Sequence, residues 1–517
     1  MMLYGILADH CCLTFAIAAS VIFVLGFQGA PLFLWTLAGA GLMFAHGASQ
    51  TCWIVCGAIA VLFNVPPLRA VVISTWVMKF MKGILPTISE TERVAIEAGV
   101  VWAEGELFSG KPNFRRLLDE PYPSLTPEEQ AFIDGPTQKL CDMIDDWRIW
   151  QDREISEPLM NAIKKEKFFG MIIPKEYGGL GFSALCHSEV VKKISSRSLP
   201  VGITIMVPNS LGPAELLVHY GTKAQKDKYL PDLATGKHVP CFALTEPNAG
   251  SDAGSIQASG ELFKGDDGKL YIKLNWNKRW ITLAAISTVL GLAFKLRDPK
   301  NLLGKGEDLG ITCALIPSHT KGVVLGLRHD PLGVPFYNCP TRGNDVIVPA
   351  EECIIGGLEG AGAGWKMLME CLGAGRGISL PAQATGGSQG CALIASAHSA
   401  VRKQFGMPIG RFEGIEEPLA RITGTAYTLE ASRRYTCGAL DKGIKPAVVT
   451  AIAKYNATEM SRKAVIDAMD ILGGAGISRG PKNVISSGYI CMPIGITVEG
   501  ANILTRTLMI FGQGALR

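Results

Sequence analysis

The sequence predicts an α+β protein in four parts: a transmembrane helical segment and basic collar over 1–85, a helical domain over 86–239, a middle antiparallel β domain over 240–355 and a C-terminal helical bundle over 356–517. Three observations predict it. No Asp, Glu, Lys or Arg occurs from Cys11 to Leu68. Between Pro240 and Pro349, short β-rich runs alternate with Gly, Pro, Asn and Asp turns. On both sides of that region apolar residues recur at helical spacing, with capping residues ahead of them.

Composition narrows the function classes. A chain of 517 residues with 48% hydrophobic content allows two to four domains and an ample core. The net charge of +4 points to neither a nucleic-acid groove nor an acidic tail. The 14 cysteines form no CxxC pair and no regular spacing, so they read as reduced, small hydrophobes in a cytosol-facing protein, with no disulfide framework and no metal site.

In the first part, apolar runs fall near 11–28, 31–46 and 52–67, broken by Gln28-Gly29, His46-Gly47 and Pro66-Pro67. A bilayer core needs about 20 apolar residues per helix, so the segment accommodates two full spans or three short ones. A cleaved signal peptide fits poorly, because Met1 to His10 has no Lys or Arg. Arg69, Lys79 and Lys82, interleaved with Trp76, Met78, Phe80 and Met81, read as an amphipathic juxtamembrane collar. The positive-inside rule then puts the rest of the chain in the cytoplasm.

In the second part, Ser89 followed by Glu92 is a capping signal, as is Thr126-Pro127 before EEQAFIDG. PLMNAIKKEKFFG and LLVHYGTKAQKDKYLPDLATG extend the helical pattern, the second as helix, break, helix. The β part holds KLYIKLNWNKRWITL, STVLGLAFKL, GITCALIP, GVVLGLRH and NDVIVP, and no GxGxxG links a strand to a helix, which excludes a Rossmann unit. From Gly364 onward the helical patterns are long and suit a bundle, with Pro381 and the glycine pairs as predicted kinks.

The most informative stretch is CFALTEPNAGSDAGSI, residues 241–256. It runs as a strand from Cys241 to Leu244 and turns through Pro247, Asn248, Ala249 and Gly250. Gly and Asn tolerate positive φ, so backbone N–H groups are expected to point at a ligand there. Thr245 and Ser251 add hydroxyls suited to the edge of a flat heteroaromatic ring. An ordinary surface turn explains the same residues. Trp280-Ile281-Thr282 follows in KRWIT, and on a regular strand Trp280 and Thr282 share a face.

The ordered pair TEPNAGSD and KRWIT resembles the flavin-binding middle domain of acyl-CoA dehydrogenases, and the resemblance extends from about residue 90 to the C-terminus. It is nearest the membrane-inserted bacterial branch of that family. The family chemistry needs a base for the α-proton of an acyl thioester and a strong hydride acceptor, and flavin fills the second role. The residue that looks like the family's Glu-Gly base is Glu499, between the apolar run Pro493 to Val498 and Gly500, which permits close approach of a ligand. A carboxylate in a dry cleft has its pKa raised towards neutrality. By itself Glu499 reads equally as a residue that opens a helix and meets its dipole.

The resemblance implies further roles. Thr245 and Ser251 contact the flavin ring of FAD, Ser251 also the substrate; Trp280 packs on the ring and Thr282 hydrogen-bonds near N5. Arg402 and Phe405 in VRKQFGMPIG resemble the family's RKxFG, which clasps the FAD diphosphate and adenine of a neighbouring subunit in a homo-oligomer. Glu413 belongs to the same region, and Asp470, Gly473 and Gly474 in DILGGAG resemble the QxxGG turn at the adenine end. Arg376 matches an arginine near the acyl-CoA, and Gly500 lies at the substrate. The loop KEYGG and the segment VPNSLG help shape the acyl cleft.

This chain departs from the pattern where Glu413 and Asp470 replace Gln, where Ala501 replaces Thr, and where YICMPIGI stands in place of an Arg-Asp pair. Members of the membrane-inserted branch continue well past the point where this chain stops, at Arg517.

The implied activity is conversion of fatty acyl-CoA to trans-2-enoyl-CoA, the first step of fatty-acid β-oxidation, at the bacterial inner membrane with the catalytic domains cytoplasmic. Electrons pass to an electron-transferring flavoprotein. The alternatives are an acyl-CoA oxidase or other flavoprotein on the same fold, and a catalytically inactive membrane scaffold. No metal and no nucleic acid enter any of these readings.

Overall fold

A computed structural model describes residues 11–84, 93, 94, 97, 99–210, 212–483 and 485–512. The chain forms two compact units, Met1–Ser89 and Glu90–Arg517. The capping signal expected at Ser89 and Glu92 lies outside the described residues.

The first unit holds α1 (Cys11–Phe27), α2 (Leu32–Ala45), α3 (Gln50–Asn64) and α4 (Pro66–Ile84). Gly29 and Gly47 take positive φ in the first two joints, a backbone form that glycine adopts without steric cost. Ser49 caps α3 by accepting from the Cys52 N–H. The Asn64 amide donates to the Thr36 hydroxyl at 2.9 Å, which ties α3 to α2. Neither α2 nor α3 buries a residue, and Phe15, Phe23, Ile54 and Trp53 are exposed. Prolines at the start of α4 cannot continue α3's hydrogen-bond ladder, and the two helices meet at 88°. Among the described residues of this unit, no helix is by itself long and apolar enough to cross a membrane; α3 and α4 pass that test only as a bent pair. The stretch Leu199–Tyr220 also passes it, but is mostly buried in the core of the second unit.

In the second unit, short helices over Ala103–Phe108 and Phe114–Leu118 precede α5 (Pro127–Phe132), where Thr126 is the N-cap as the sequence predicts and forms a capping box with Glu129. Next come α6 (Asp146–Asp152), α7 (Glu157–Lys165), α8 (Ala184–Ser195), α9 (Leu199–Ser210), α10 (Pro213–Tyr220) and α11 (Lys223–Ala234). The sheet comprises β1 (Pro240–Ala243), β2 (Ser259–Lys264), β3 (Leu270–Ile281), β4 (Val289–Arg297), β5 (Asp308–Pro317), β6 (Val323–Leu325) and β7 (Cys339–Pro349). Its order is β1-β4-β2-β3-β7-β6, with β5 on β4.

The sheet is mixed rather than antiparallel, because β4 inserts between β1 and β2 and runs parallel to both. The sequence pattern reports strands and turns, and the β2–β3 hairpin hides this crossover. The C-terminal bundle holds α12 (Gly364–Val401), α13 (Glu413–Asp441), α14 (Ala447–Leu472) and α15 (Ile485–Thr497). The kink expected at Pro381 does not divide α12, which runs unbroken for 38 residues. Packing along both neighbouring bundle helices outweighs the roughly 3 kcal/mol that an interior proline costs.

The helical layers are pinned together by Arg433 of α13, which is fully buried. It donates to Ser188 at 2.9 Å, to Glu430 at 2.7 Å, and to Glu189. Ser188 and Glu189 belong to α8, so this network couples the two helical domains around the sheet. The described cysteines are all free, and no cluster of potential metal ligands occurs among the described residues.

Candidate active site

The site is built around the turn that follows α15. Glu499 has φ +55 and Gly500 has φ +90, so the chain reverses through two left-handed residues. Two cations hold this turn by its carbonyls. Arg376 of α12 donates from Nε to the Glu499 carbonyl at 2.8 Å. Lys454 of α14 donates from Nζ to the Gly500 carbonyl at 2.8 Å and to Asn502 Oδ1 at 2.7 Å. Asn502 in turn donates to Thr458 and Glu459.

These bonds leave the carboxylate free. The Glu499 residue is partly accessible, yet both carboxylate oxygens are buried and neither has a hydrogen-bond partner. Burial pushes its pKa up to about 7, against the opposing pull of Arg376 and Lys454. Had Arg376 paired with the carboxylate directly, the ion pair would have kept it acidic and occupied. Burial also lowers Lys454 to about 8 and depresses Arg376.

Glu499 stands at a cavity of about 90 Å³. Leu199, Ile203, Met206 and Val207 give one apolar wall from α9; Ile494 of α15 and Val498 just past its end give another. The stripe at 199, 203 and 206/207 follows the helical repeat. Thr282, Asn338 and Gln383 add polar groups, and Asn338 Oδ1 and Gln383 Nε2 are buried without partners. Unpaired buried polar atoms in a lining are sites for a ligand's own polar groups.

Thr245 and Ser251 lie on the loop after β1, half-buried and exposed respectively. The loop is not shaped by left-handed residues as the sequence reading expected, for neither Asn248 nor Gly250 has positive φ. Glu246 shapes it instead. Its carboxylate accepts from the N–H groups of Gln257 and Ala258 and from Lys278 Nζ at 2.7 Å. Lys278 also donates to the Leu244 carbonyl, so β3 grips both sides of Thr245.

Trp280 and Thr282 do not simply share a strand face. A bulge between Lys278 and Ile281 shifts the register, and Trp280 takes φ +59 with its N–H donated to His329 Nε2 at 3.1 Å. A bulge re-aims a side chain. Here it leaves the Trp280 ring 54% exposed while Thr282 lines the cavity.

The remaining predicted cofactor residues are surface features. Arg402 leads into a hairpin of Lys403–Gln404 and Met407–Pro408. Its two-residue tip, Phe405 at φ +52 and Gly406 at φ +81, takes the left-handed pair that such hairpins favour, and leaves Phe405 93% exposed. Glu413, Asp470, Gly473 and Gly474 are exposed as well. Gly473 ends α14 with φ +55.

Gly500 does not stand open to a ligand in the way the sequence predicts. A Cβ there would meet Thr505 Oγ1 at 3.2 Å, so the glycine serves the turn itself. Arg376, which the resemblance puts near the acyl-CoA, lies beside Glu499 with its Nε spent on the turn's backbone. Sequence reasoning missed Glu246, Lys278, His329, Asn338, Gln383 and Lys454. For Lys454 a signal existed: a lysine inside the apolar stripe of AVVTAIAKYNA.

The residues fit a flavin dinucleotide: a half-exposed indole at the end of β3, hydroxyls at Thr245, Ser251 and Thr282, an unpaired Asn338 carbonyl oxygen, and an exposed arginine and aromatic ring for diphosphate and adenine.

Known proteins share this organisation. Family profiles described as the N-terminal, middle and C-terminal domains of acyl-CoA dehydrogenase match residues 126–237, 241–346 and 362–509. The mitochondrial very long-chain specific acyl-CoA dehydrogenase of Bos taurus is 32% identical over 368 residues, 70% of this chain. That match spans 55% of the bovine protein, so this chain covers about half the length of such relatives. A 3-(aryl)acrylate reductase of Clostridium sporogenes (strain ATCC 15579) is 33% identical over 67% of this chain and 86% of its own length. The solved structure of butyryl-CoA dehydrogenase from Megasphaera elsdenii superposes with a TM-score of 0.67 and 25% identity, over 76% of this chain and 99% of that one. With all three domains matched in order, the chain belongs to the acyl-CoA dehydrogenase family.

Proposed function

We propose that this chain is an FAD-dependent dehydrogenase that converts fatty acyl-CoA to trans-2-enoyl-CoA. The observation that carries the reading is the Glu499 carboxylate, desolvated, unpaired, and facing an apolar cavity. A saturated acyl chain lies in that cavity with its α-carbon at the carboxylate. Glu499 takes the α-proton onto a carboxylate oxygen, for which a pKa of about 7 suits neutral conditions. Arg376 and Lys454 hold the turn, so that the carboxylate needs no rearrangement when the proton moves. The Glu499 N–H polarises the thioester carbonyl as negative charge develops.

FAD, when bound, supplies the acceptor for the β-hydrogen and its electron pair. Thr245, Ser251, Trp280 and Thr282 hold its ring. Arg402, Phe405, Glu413, Asp470, Gly473 and Gly474 hold its diphosphate and adenine from a neighbouring copy, which makes the enzyme a homo-oligomer. Electrons leave to an electron-transferring flavoprotein. The domains lie at 86–239, 240–355 and 356–517. Residues 11–84, apolar and outward-facing, anchor the chain in the bacterial inner membrane, with Arg69, Lys79 and Lys82 at the cytoplasmic surface.

The test is anaerobic. The chain is purified in detergent, palmitoyl-CoA is added without electron acceptor, and the flavin band is followed for wild type and Glu499→Gln. Bleaching in wild type alone supports the reading. Bleaching in both puts the base elsewhere, and bound flavin that bleaches in neither rejects the substrate. Rapid reoxidation by O₂ afterwards identifies an oxidase, and a colourless preparation identifies the inactive scaffold.

A further inference from the structure

The cavity at Glu499 ends in different chemistry from where it begins. Two helices carry it away from the base at helical spacing. On α12, Arg376 holds the Glu499 carbonyl, and Leu380, then Gln383, line the cavity beyond it. On α14, Lys454 holds the Gly500 carbonyl, and Thr458, then Ser461, line it. Along both helices the advance is seven residues, a rise of about 10 Å at 1.5 Å per residue. The two arrive at one place, for Ser461 Oγ lies 3.7 Å from where a Cβ would stand at Gly387, one turn past Gln383. Met492 of α15 closes that end, its sulfur 3.8 Å from the same hydroxyl.

This end holds polar groups that the protein leaves unused. Gln383 is 7% exposed, and its Nε2 is buried with no acceptor. The Ser461 hydroxyl is fully buried and donates only to the Met492 thioether, a weak acceptor, so its oxygen lone pairs stay free. Leu199, Ile203, Ile494 and Cys491 make much of the remaining lining apolar. Among the described residues of the lining Glu499 alone is charged, so the far end suits a neutral hydrogen-bonding group and no ion. Gln383 has no part in holding the turn, which Arg376 and Lys454 do. The polar groups suited to flavin, Thr245, Ser251, Thr282 and Asn338, stand on the β domain, whereas Gln383 stands on α12.

Resting on the proposed function, we infer that the preferred substrate is a fatty acyl-CoA hydroxylated in mid-chain, its hydroxyl read by Gln383 and Ser461. The α-carbon, carbon 2, sits at the Glu499 carboxylate. An extended chain advances about 3.5 Å for every three backbone bonds, so about 10 Å is covered in about eight bonds, which puts the hydroxyl on about carbon 10. Its oxygen accepts from Gln383 Nε2, and its O–H donates to Ser461 Oγ. A plain methylene at that level leaves the buried amide N–H against hydrocarbon, and a buried donor left unmade costs more than the bond itself contributes. A site that hydrogen-bonds a hydroxyl rejects the analogue lacking it far more strongly than an apolar pocket rejects an added hydroxyl.

The FAD-loaded full chain is titrated anaerobically with palmitoyl-CoA, 10-hydroxypalmitoyl-CoA and 16-hydroxypalmitoyl-CoA, and half-saturation for flavin bleaching is read. The inference expects the 10-hydroxy thioester to half-saturate at a concentration about tenfold or more below either of the others. In Gln383→Leu that preference falls to near unity or reverses. The ligand-free variant unfolds at no lower temperature than wild type, because no hydrogen bond within the protein is lost. Equal half-saturation in wild type, a preference shared by the 16-hydroxy thioester, or one that survives Gln383→Leu overturns the inference while leaving the dehydrogenase reading intact. A variant that unfolds at a lower temperature shows the amide to be bonded within the protein and overturns it too. If none of the three thioesters bleaches the flavin, the dehydrogenase reading falls first and the inference with it.

Discussion

Lys454 Nζ lies 2.8 Å from the Gly500 carbonyl oxygen, placing a fully buried ammonium one residue from the carboxylate that would act as base. The lysine thus does two things at once. It holds the turn by its backbone, and its charge favours the ionised form of Glu499. Lys454→Met keeps most of the volume and removes both effects. Asn502 Oδ1 loses its donor, at a cost of about 1–3 kcal/mol. Without the cation the Glu499 pKa rises above about 7, so the pH midpoint for flavin bleaching moves upward. A pH profile of the bleaching rate in wild type and variant is the measurement; an unmoved midpoint would show that the lysine only packs.

The base itself is held at a cost to stability. Its folded pKa of about 7 exceeds the ordinary value of 4.5, so folding favours the protonated form. The contribution is fully present below pH 4.5 and is lost as pH rises through about 7. Glu499→Gln removes this dependence. At pH 8 the variant should be more stable than wild type by about 3 kcal/mol, falling below about 1 kcal/mol at pH 5. Thermal unfolding at the two pH values checks it, and a variant less stable at pH 8 contradicts it. The same variant should bleach no flavin, separating stability from activity.

Glu246 and Lys278 form a buried pair at 2.7 Å beneath the loop that carries Thr245 and Ser251. Breaking such a pair costs about 3–5 kcal/mol when an uncompensated charge stays behind. The two sides are not equivalent here. In Lys278→Met the carboxylate keeps two backbone donors, from Gln257 and Ala258. In Glu246→Leu those N–H groups lose their acceptor, and the buried ammonium loses its counter-charge and keeps only the Leu244 carbonyl. Glu246→Leu should therefore lose more stability and more co-purifying flavin than Lys278→Met. The ratio of flavin to protein absorbance, read beside unfolding temperature, tests that order; the reverse order would assign the shaping of the loop to Lys278.

The family, the helical, β and helical succession, and Glu499 as candidate base were legible because each rests on local signals: caps, turn residues, two short motifs in order. What the sequence hid depends on contacts across the chain. The parallel placement of β4 between β1 and β2 has no local signature. Trp280 and Thr282 part company at a bulge that alternation cannot foresee. Lys278 and Lys454 look like ordinary lysines until their partners, 32 and 46 residues away, are known. Pro381 gives a true local signal that long-range packing overrides.

Gly500 is the position where the two kinds of reading diverge most usefully. The sequence reads it as a gap left for substrate; the geometry reads it as the hinge of the turn, at φ +90 with Thr505 behind it. Gly500→Ala forces a side chain into a left-handed residue, costing about 1–2 kcal/mol before any clash. The added Cβ also falls 3.2 Å from Thr505 Oγ1 and 3.6 Å from Arg376 Nη2, so relief must come by shifting the turn. Moving a base by about 1 Å costs on the order of a hundredfold in rate. The geometry therefore predicts that kcat falls by about that factor while KM stays within about threefold, since the wall from α9 does not move. A steady-state comparison of variant and wild type decides. If KM rises steeply while kcat holds, Gly500 makes room for the substrate after all, and the turn tolerates the extra methyl group.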